Sequence, residues 1–121
     1  MDKKILILDD KETIAKVIAV YLANEFDLVY FSDAVKGLKW LEEGNRPDLI
    51  ISDIKMPLIS GEEFLRILKS NISFSSIPVV ILSSEDNTTE RIRLFQEGAE
   101  DYILKPFNPT ELKCRIKKII Q

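Results

Sequence analysis

Four short runs of the sequence are apolar without interruption and then stop on a polar or charged residue. They are Ile5-Leu6-Ile7-Leu8 before Asp9-Asp10, Leu49-Ile50-Ile51 before Ser52-Asp53, Val79-Val80-Ile81-Leu82 before Ser83-Ser84, and Tyr102-Ile103-Leu104 before Lys105. A strand with one wet face alternates apolar and polar residues. Runs as continuous as these need cover on both faces, which is the condition of a parallel sheet enclosed by helices. In open α/β sheets ligands bind beyond the carboxyl ends of the strands. The carboxylates, hydroxyls and ammonium that terminate the runs are therefore expected along one edge, a set suited to a divalent metal and a phosphoryl group.

The intervening segments have helical periodicity. Ile14, Val17, Ile18, Tyr21 and Leu22 fall at the spacing of one buried helix face and predict a first helix over about residues 12–24. Leu28-Val29-Tyr30-Phe31 reads as a further strand ending at Ser32-Asp33. Ala34, Gly37, Leu38 and Leu41 mark a second helix that stops near Gly44, with Pro47 beyond. Ser60-Gly61-Glu62-Glu63 is a capping box that opens a third helix carrying Phe64, Leu65 and Leu68. The same start signal recurs as Asn87-Thr88-Thr89-Glu90 before Ile92 and Phe95. It recurs again as Asn108-Pro109-Thr110-Glu111 before Leu112, Ile116 and Ile119, with proline at the first helical position. The expected order is βαβαβαβαβα, an α/β fold in one domain over residues 1–121.

Composition narrows the chemistry. The net charge of -3 argues against a nucleic-acid-binding surface on this segment. No apolar stretch approaches the roughly 18 residues that cross a bilayer. Met1-Asp2-Lys3-Lys4 runs into a strand rather than a signal sequence, so a cytoplasmic location is expected. Cys114 is the single cysteine, which removes internal disulfides, and its place among apolar positions reads as a small packing residue. The cluster Lys113, Arg115, Lys117 and Lys118 reads as a solvated helix face. With no histidine in the chain, only carboxylate, hydroxyl and amine remain for the work.

Magnesium takes oxygen ligands, commonly one or two carboxylates with waters and phosphate oxygens, and Asp9, Asp10 and Asp53 could supply them. Lys105 is followed by Pro106, whose fixed φ sets the chain direction and can hold the ammonium over the site. Ser83 can donate a hydroxyl to the same phosphoryl group. By chemistry alone Ser84 serves equally well.

With Asp53-Ile54-Lys55-Met56-Pro57 and Lys105-Pro106-Phe107 added to Asp9-Asp10 and Ser83, the chain resembles over its whole length a CheY-like receiver domain of the two-component response regulators. The resemblance implies a (βα)5 three-layer sandwich of flavodoxin-like type, with a five-stranded parallel sheet in the order 2-1-3-4-5. It implies a phospho-accepting switch of a His-Asp phosphorelay rather than an enzyme, one that promotes only its own Mg2+-dependent phosphorylation and dephosphorylation. Asp53 would accept the phosphoryl group from a sensor histidine kinase or histidine phosphotransfer protein. Asp10 and Asp53 would ligate Mg2+ directly, Asp9 mainly through water, and the Lys55 backbone carbonyl would be a further ligand. Ser83 and Lys105 would bind phosphoryl oxygens, and Ser83 would couple to Tyr102 as a switch. Lys55 and Glu85, each two residues beyond a site residue, would tune the lifetime of the phosphorylated state. The Lys105-Pro106 bond is expected to be cis.

From Arg91 to Lys117 the sequence is similar to the OmpR/PhoB-type subfamily. That similarity implies a symmetric dimer through the fourth helix, fifth strand and fifth helix. Its pairs between protomers would be Arg91 with Glu111, Glu100 with Lys117, and Asp101 with Arg115. Two other classes fit less well. A haloacid-dehalogenase-like Mg2+-dependent phosphatase needs two aspartates one residue apart, whereas Asp9 and Asp10 are adjacent and Asp53 has Lys55 at that offset. A flavodoxin-like cofactor binder needs a phosphate-cradling loop after the first strand, where this chain has Asp9-Asp10-Lys11-Glu12.

Overall fold

The computed structural model describes residues 2–121. Strands and helices alternate through the chain: β1 (Lys3–Leu8), α1 (Glu12–Leu22), β2 (Phe26–Phe31), α2 (Ala34–Glu42), β3 (Leu49–Asp53), α3 (Gly61–Lys69), β4 (Val79–Ser83), α4 (Thr88–Gln96), β5 (Asp101–Leu104) and α5 (Pro109–Ile120). All pairings are parallel, and the strand order is β2-β1-β3-β4-β5, as the resemblance implied. The continuous apolar strands are explained by two cores, one on each face. Along β1, Ile5 and Ile7 pack with Ala15, Ile18 and Leu22 of α1 and Leu112 and Ile116 of α5. Leu6 and Leu8 point the other way, to Ala34 and Leu41 of α2, Phe64, Leu65 and Leu68 of α3, and Leu94 of α4. Successive strand residues thus bury on opposite sides, and neither side is wet.

Helix starts follow the capping chemistry. Ser60 and Glu63 form the reciprocal capping box of α3. Asn87 accepts from the Glu90 N–H, Asn108 accepts from the N–H groups of Thr110 and Glu111, and Asp33 caps α2 through the Lys36 N–H. Each such cap contributes about 1 kcal/mol. Gly44, just past α2, has φ 99°, the left-handed conformation that ends a helix at little cost to glycine.

Five side-chain placements differ from the periodicity reading. Val17 and Tyr21 are each 41% exposed, because α1 settles on the sheet through Ala15, Ile18 and Leu22. In α4 the buried residue is Leu94, while Ile92 and Phe95 face outward. Cys114 is exposed on α5 rather than packed, since Leu112 and Ile116 occupy the buried stripe.

Candidate functional site

Register brings the strand ends level. Leu8 of β1 pairs with Ser52 of β3, Asp53 with Leu82 of β4, and Ser83 with Leu104 of β5. The residues in and just beyond these pairs, Asp9, Asp10, Asp53, Ser83 and Lys105, therefore meet at one edge of the sheet. Carboxylate oxygens of Asp9, Asp10 and Asp53 lie within 4.8 Å of one another. Asp9 and Asp53 are buried and Asp10 is exposed, so the cluster has a dry floor and an open mouth.

Lys105 lies across the two buried carboxylates. Its Nζ is 2.9 Å from Asp9 Oδ2 and 3.2 Å from Asp53 Oδ1. Burial alone would lower its pKa, but Asp9 and Asp53 together outweigh that and hold the ammonium above its ordinary value. Burial pushes the Asp53 carboxyl up, Asp9 adds to the rise, and Lys105 and the Ile54 N–H oppose it without cancelling it. Three carboxylates and one ammonium leave a formal charge of -2 on a hard-oxygen donor set. A divalent cation with oxygen preference would neutralise that charge, so the residues present fit Mg2+.

The two serines separate. Ser83 is buried and its Oγ accepts from the Glu85 N–H at 3.0 Å, whereas Ser84 is exposed. Tyr102 is buried on β5 among the residues that pack beneath α4, and its hydroxyl donates to the Glu85 carbonyl at 2.8 Å. Burial raises the Tyr102 phenol above its ordinary pKa, and the nearby Ser83 hydroxyl works against the rise. Glu85 thus connects the serine hydroxyl to the tyrosine through its own backbone. The Glu85 carboxylate also pairs with Lys55, two residues beyond Asp53, with Nζ–Oε1 at 2.7 Å. The Lys105-Pro106 bond is cis.

Two contacts of the site carry no motif and were not expected. Tyr30 donates its hydroxyl to the Asp9 carbonyl at 2.7 Å. Gly61, the first residue of α3, donates its N–H to the Ile54 carbonyl at 2.7 Å and packs against the acceptor strand so closely that a Cβ there would lie 2.1 Å from the Asp53 carbonyl oxygen. The Ser-Gly-Glu-Glu spacing announced a helix start at Gly61 but carried no sign of what the helix start touches.

On the α4, β5 and α5 face, the charges find partners within the chain. Arg115 pairs with Asp101 at 3.0 Å and with Glu111 at 3.3 Å. Arg91 pairs with Asp86 at 3.0 Å and stands over the Tyr102 ring, 5.4 Å from its centroid. Lys117 pairs with Glu25 at 2.7 Å, joined there by Lys113, while Glu100 is exposed. Of the basic cluster on α5, only Lys118 matches the solvated reading in full.

The sequence matches the response regulator receiver domain family over residues 5–117. It is 33% identical to the DNA-binding response regulator MtrA of Mycobacterium tuberculosis over 97% of this chain and 50% of that protein. It is also 33% identical to the alkaline phosphatase synthesis transcriptional regulatory protein PhoP of Bacillus subtilis, over 100% of this chain and 50% of that protein. The chain thus spans about half the length of these curated relatives. Among solved structures it resembles the receiver domain of a Francisella response regulator, with TM-score 0.88, 32% identity, and coverage of 98% of this chain and 97% of that one. It also resembles the chemotaxis response regulator CheY4 of Vibrio cholerae, with TM-score 0.90, 25% identity, and coverage of 98% and 99%. Among the described residues, no helix is long and apolar enough to cross a membrane.

Proposed function

Because the chain belongs to the response regulator receiver domain family, a family of signalling switches rather than turnover catalysts, we propose that it accepts a phosphoryl group on Asp53 from a phosphohistidine of a sensor histidine kinase or a histidine phosphotransfer protein. An Asp53 carboxylate oxygen attacks phosphorus, the P–N bond breaks, and the imidazole leaves as the acyl phosphate O–P bond forms. The observation that carries this reading is the ammonium of Lys105, held between the Asp9 and Asp53 carboxylates in a cluster left two charges short of neutrality.

Phosphoryl transfer asks a protein mainly for positioning and for charge stabilisation. Asp10 and Asp53, with the Lys55 backbone carbonyl, would hold Mg2+ directly, and Asp9 would act mainly through water. The metal, when bound, neutralises charge on the phosphoryl oxygens. Lys105 already lies within 3.2 Å of the attacking carboxylate and can follow the phosphoryl oxygens as they arrive. For Ser83 to donate to the phosphoryl group, its hydroxyl must turn toward Asp53, disturbing its hydrogen bond with Glu85, whose carbonyl holds the Tyr102 hydroxyl. That route links the site to the α4, β5 and α5 face, which in this reading meets a partner, an effector segment or a second copy of the chain.

Residues 1–121 act as one receiver unit in this proposal. The relatives that share it are named as DNA-binding and transcriptional regulators, which supports a role as the receiving half of such a regulator. In this reading the segment itself, at net charge -3, binds no nucleic acid and works in the cytoplasm. Incubation with acetyl phosphate and Mg2+ tests the assignment by intact mass. One phosphoryl group should be added, and none to Asp53→Asn or in the presence of EDTA; labelling of the variant, or rapid turnover of excess phosphate ester by the wild type, overturns it.

A further inference from the structure

A metal site assembled from the ends of separate strands needs its loops held in place before the ion arrives. Asp9, 1% exposed, has every polar group engaged. Its Oδ1 accepts from the Lys11 N–H at 2.9 Å and its Oδ2 from Lys105 Nζ at 2.9 Å. Its N–H donates to the Phe31 carbonyl at a long 3.4 Å, and its carbonyl accepts the Tyr30 hydroxyl at 2.7 Å. The tyrosine bond is the one that acts on the neighbouring residue as well. The Asp9 carbonyl belongs to the rigid peptide plane that joins Asp9 to Asp10, so whatever fixes that oxygen also fixes the Asp10 N–H and Cα from which its side chain departs.

Tyr30 is well placed to do this. It pairs with Ile7 in the β1–β2 register, and its ring packs against the core cluster shared by α1 and α5, so its hydroxyl points along the sheet toward the loop after β1. Asp10 itself is exposed, and among the described residues no side chain is hydrogen-bonded to it. β2 supplies no ligand or acceptor, yet through this contact it reaches the metal site.

We propose that Tyr30 is a positioning residue of the phospho-acceptor site, whose hydroxyl holds the Asp9–Asp10 peptide in the orientation that aims Asp10 at the bound divalent cation. The inference rests on Asp9, Asp10 and Asp53 being the metal site. Outer partners of metal ligands commonly govern affinity by tenfold or more. Tyr30→Phe keeps the ring and its packing and removes only the donor; a water can then serve the carbonyl, but without fixing its direction.

The test is a titration of wild type, Tyr30→Phe and Tyr21→Phe with Mn2+, read as free ion by electron paramagnetic resonance, with Mg2+ competition giving its Kd. Tyr30→Phe should weaken both ions by about tenfold. The rate of labelling by acetyl phosphate should recover at saturating Mg2+, and Tyr21→Phe, on the exposed face of α1, should match wild type. In metal-free protein the Asp10 amide should exchange faster in Tyr30→Phe. An unchanged Kd in Tyr30→Phe overturns the inference. So does a lower rate that persists at saturating metal with no change in Kd, which would be a defect of the acceptor alone. If wild type binds neither ion, the metal-site assignment itself fails and the role of Tyr30 falls with it.

Discussion

Replacing Asp53 by Asn should stabilise the metal-free protein while abolishing phosphorylation. The carboxylate is 8% exposed, and its two buried neighbours pull in opposite directions. At an effective dielectric constant of about 20, the Lys105 ammonium at 3.2 Å attracts it by about 5 kcal/mol. An Asp9 oxygen within 4.8 Å repels it by about 3.5 kcal/mol or more. The neighbours therefore leave a net attraction of only about 1.5 kcal/mol, whereas removing a carboxylate from water costs several kcal/mol. Burial wins, in agreement with the upward direction of the Asp53 pKa. Asparagine avoids the charge and can still accept the Ile54 N–H, so a gain of about 1–2 kcal/mol is expected, or about 4–8 °C in Tm for a domain of this size. The pH dependence has a definite sign. A carboxyl whose folded pKa is raised favours the fold below its ordinary 3.8 and loses that contribution as pH rises through the folded value. The advantage of Asp53→Asn should be full at pH 7 and absent below about pH 3.8. Mg2+ should reverse the order, since a ligand at one hundred times its Kd stabilises by about 2.7 kcal/mol and the variant has lost a ligand. Urea unfolding followed by circular dichroism, in EDTA and in Mg2+, measures all three. A variant less stable than wild type in EDTA at pH 7, or equal stabilisation of both by Mg2+, refutes the electrostatic reasoning.

Gly61→Ala should cost about 3 kcal/mol or more and slow labelling by acetyl phosphate, because its Cβ would meet backbone atoms of Asp53 and Ile54 at 2.1 and 2.8 Å, which cannot step aside as a side chain can. A urea midpoint within 0.3 M of wild type, taken with a urea slope of about 1–3 kcal/mol/M, would count against this packing. Lys55→Ala should change stability by less than about 0.5 kcal/mol, since Lys55 is 74% exposed, yet should hasten hydrolysis of the aspartyl phosphate by breaking the pair that ties the loop after Asp53 to the loop after Ser83. An unaltered hydrolysis rate would show that the pair guards nothing. Light scattering with and without Mg2+ and beryllofluoride tests the α4, β5 and α5 face. A dimer is expected with beryllofluoride, and a monomer in both conditions at high concentration removes the dimer.

Periodicity and strand termini carried most of the architecture, because a parallel sheet buried on both sides leaves a distinctive signature of unbroken apolar runs. Asp9, Asp10, Asp53 and Lys105 were legible for the same reason: they are the residues at which those runs stop. Ser83 and Ser84 could not be told apart from their chemistry, since only the last turn of the pleat decides which one points inward. Val17 and Tyr21 were misplaced because apolar residues at helical spacing define a stripe wider than the sheet covers, and packing selects Ala15, Ile18 and Leu22 from it. Tyr30 and Gly61 were invisible as site residues. One acts through a hydroxyl at the end of a ring otherwise buried for its area, and the other through the lack of a side chain, and neither leaves a pattern in one dimension.

α4 is held by a single buried side chain, Leu94, where α3 has Phe64, Leu65 and Leu68. Its ties to α3, Arg66 with Glu97 at 2.9 Å and Arg93 with Glu62, involve arginines about half exposed and so contribute little. The grip of one leucine, about 1.5–3 kcal/mol, is of the same size as one hydrogen bond to a charged group. The domain is therefore graded in firmness. Its acceptor strand is locked into the sheet, and one new contact at that strand's end is worth as much as the anchor of the helix beside it. In native-state hydrogen exchange α4 should open first, at a free energy well below that of the sheet.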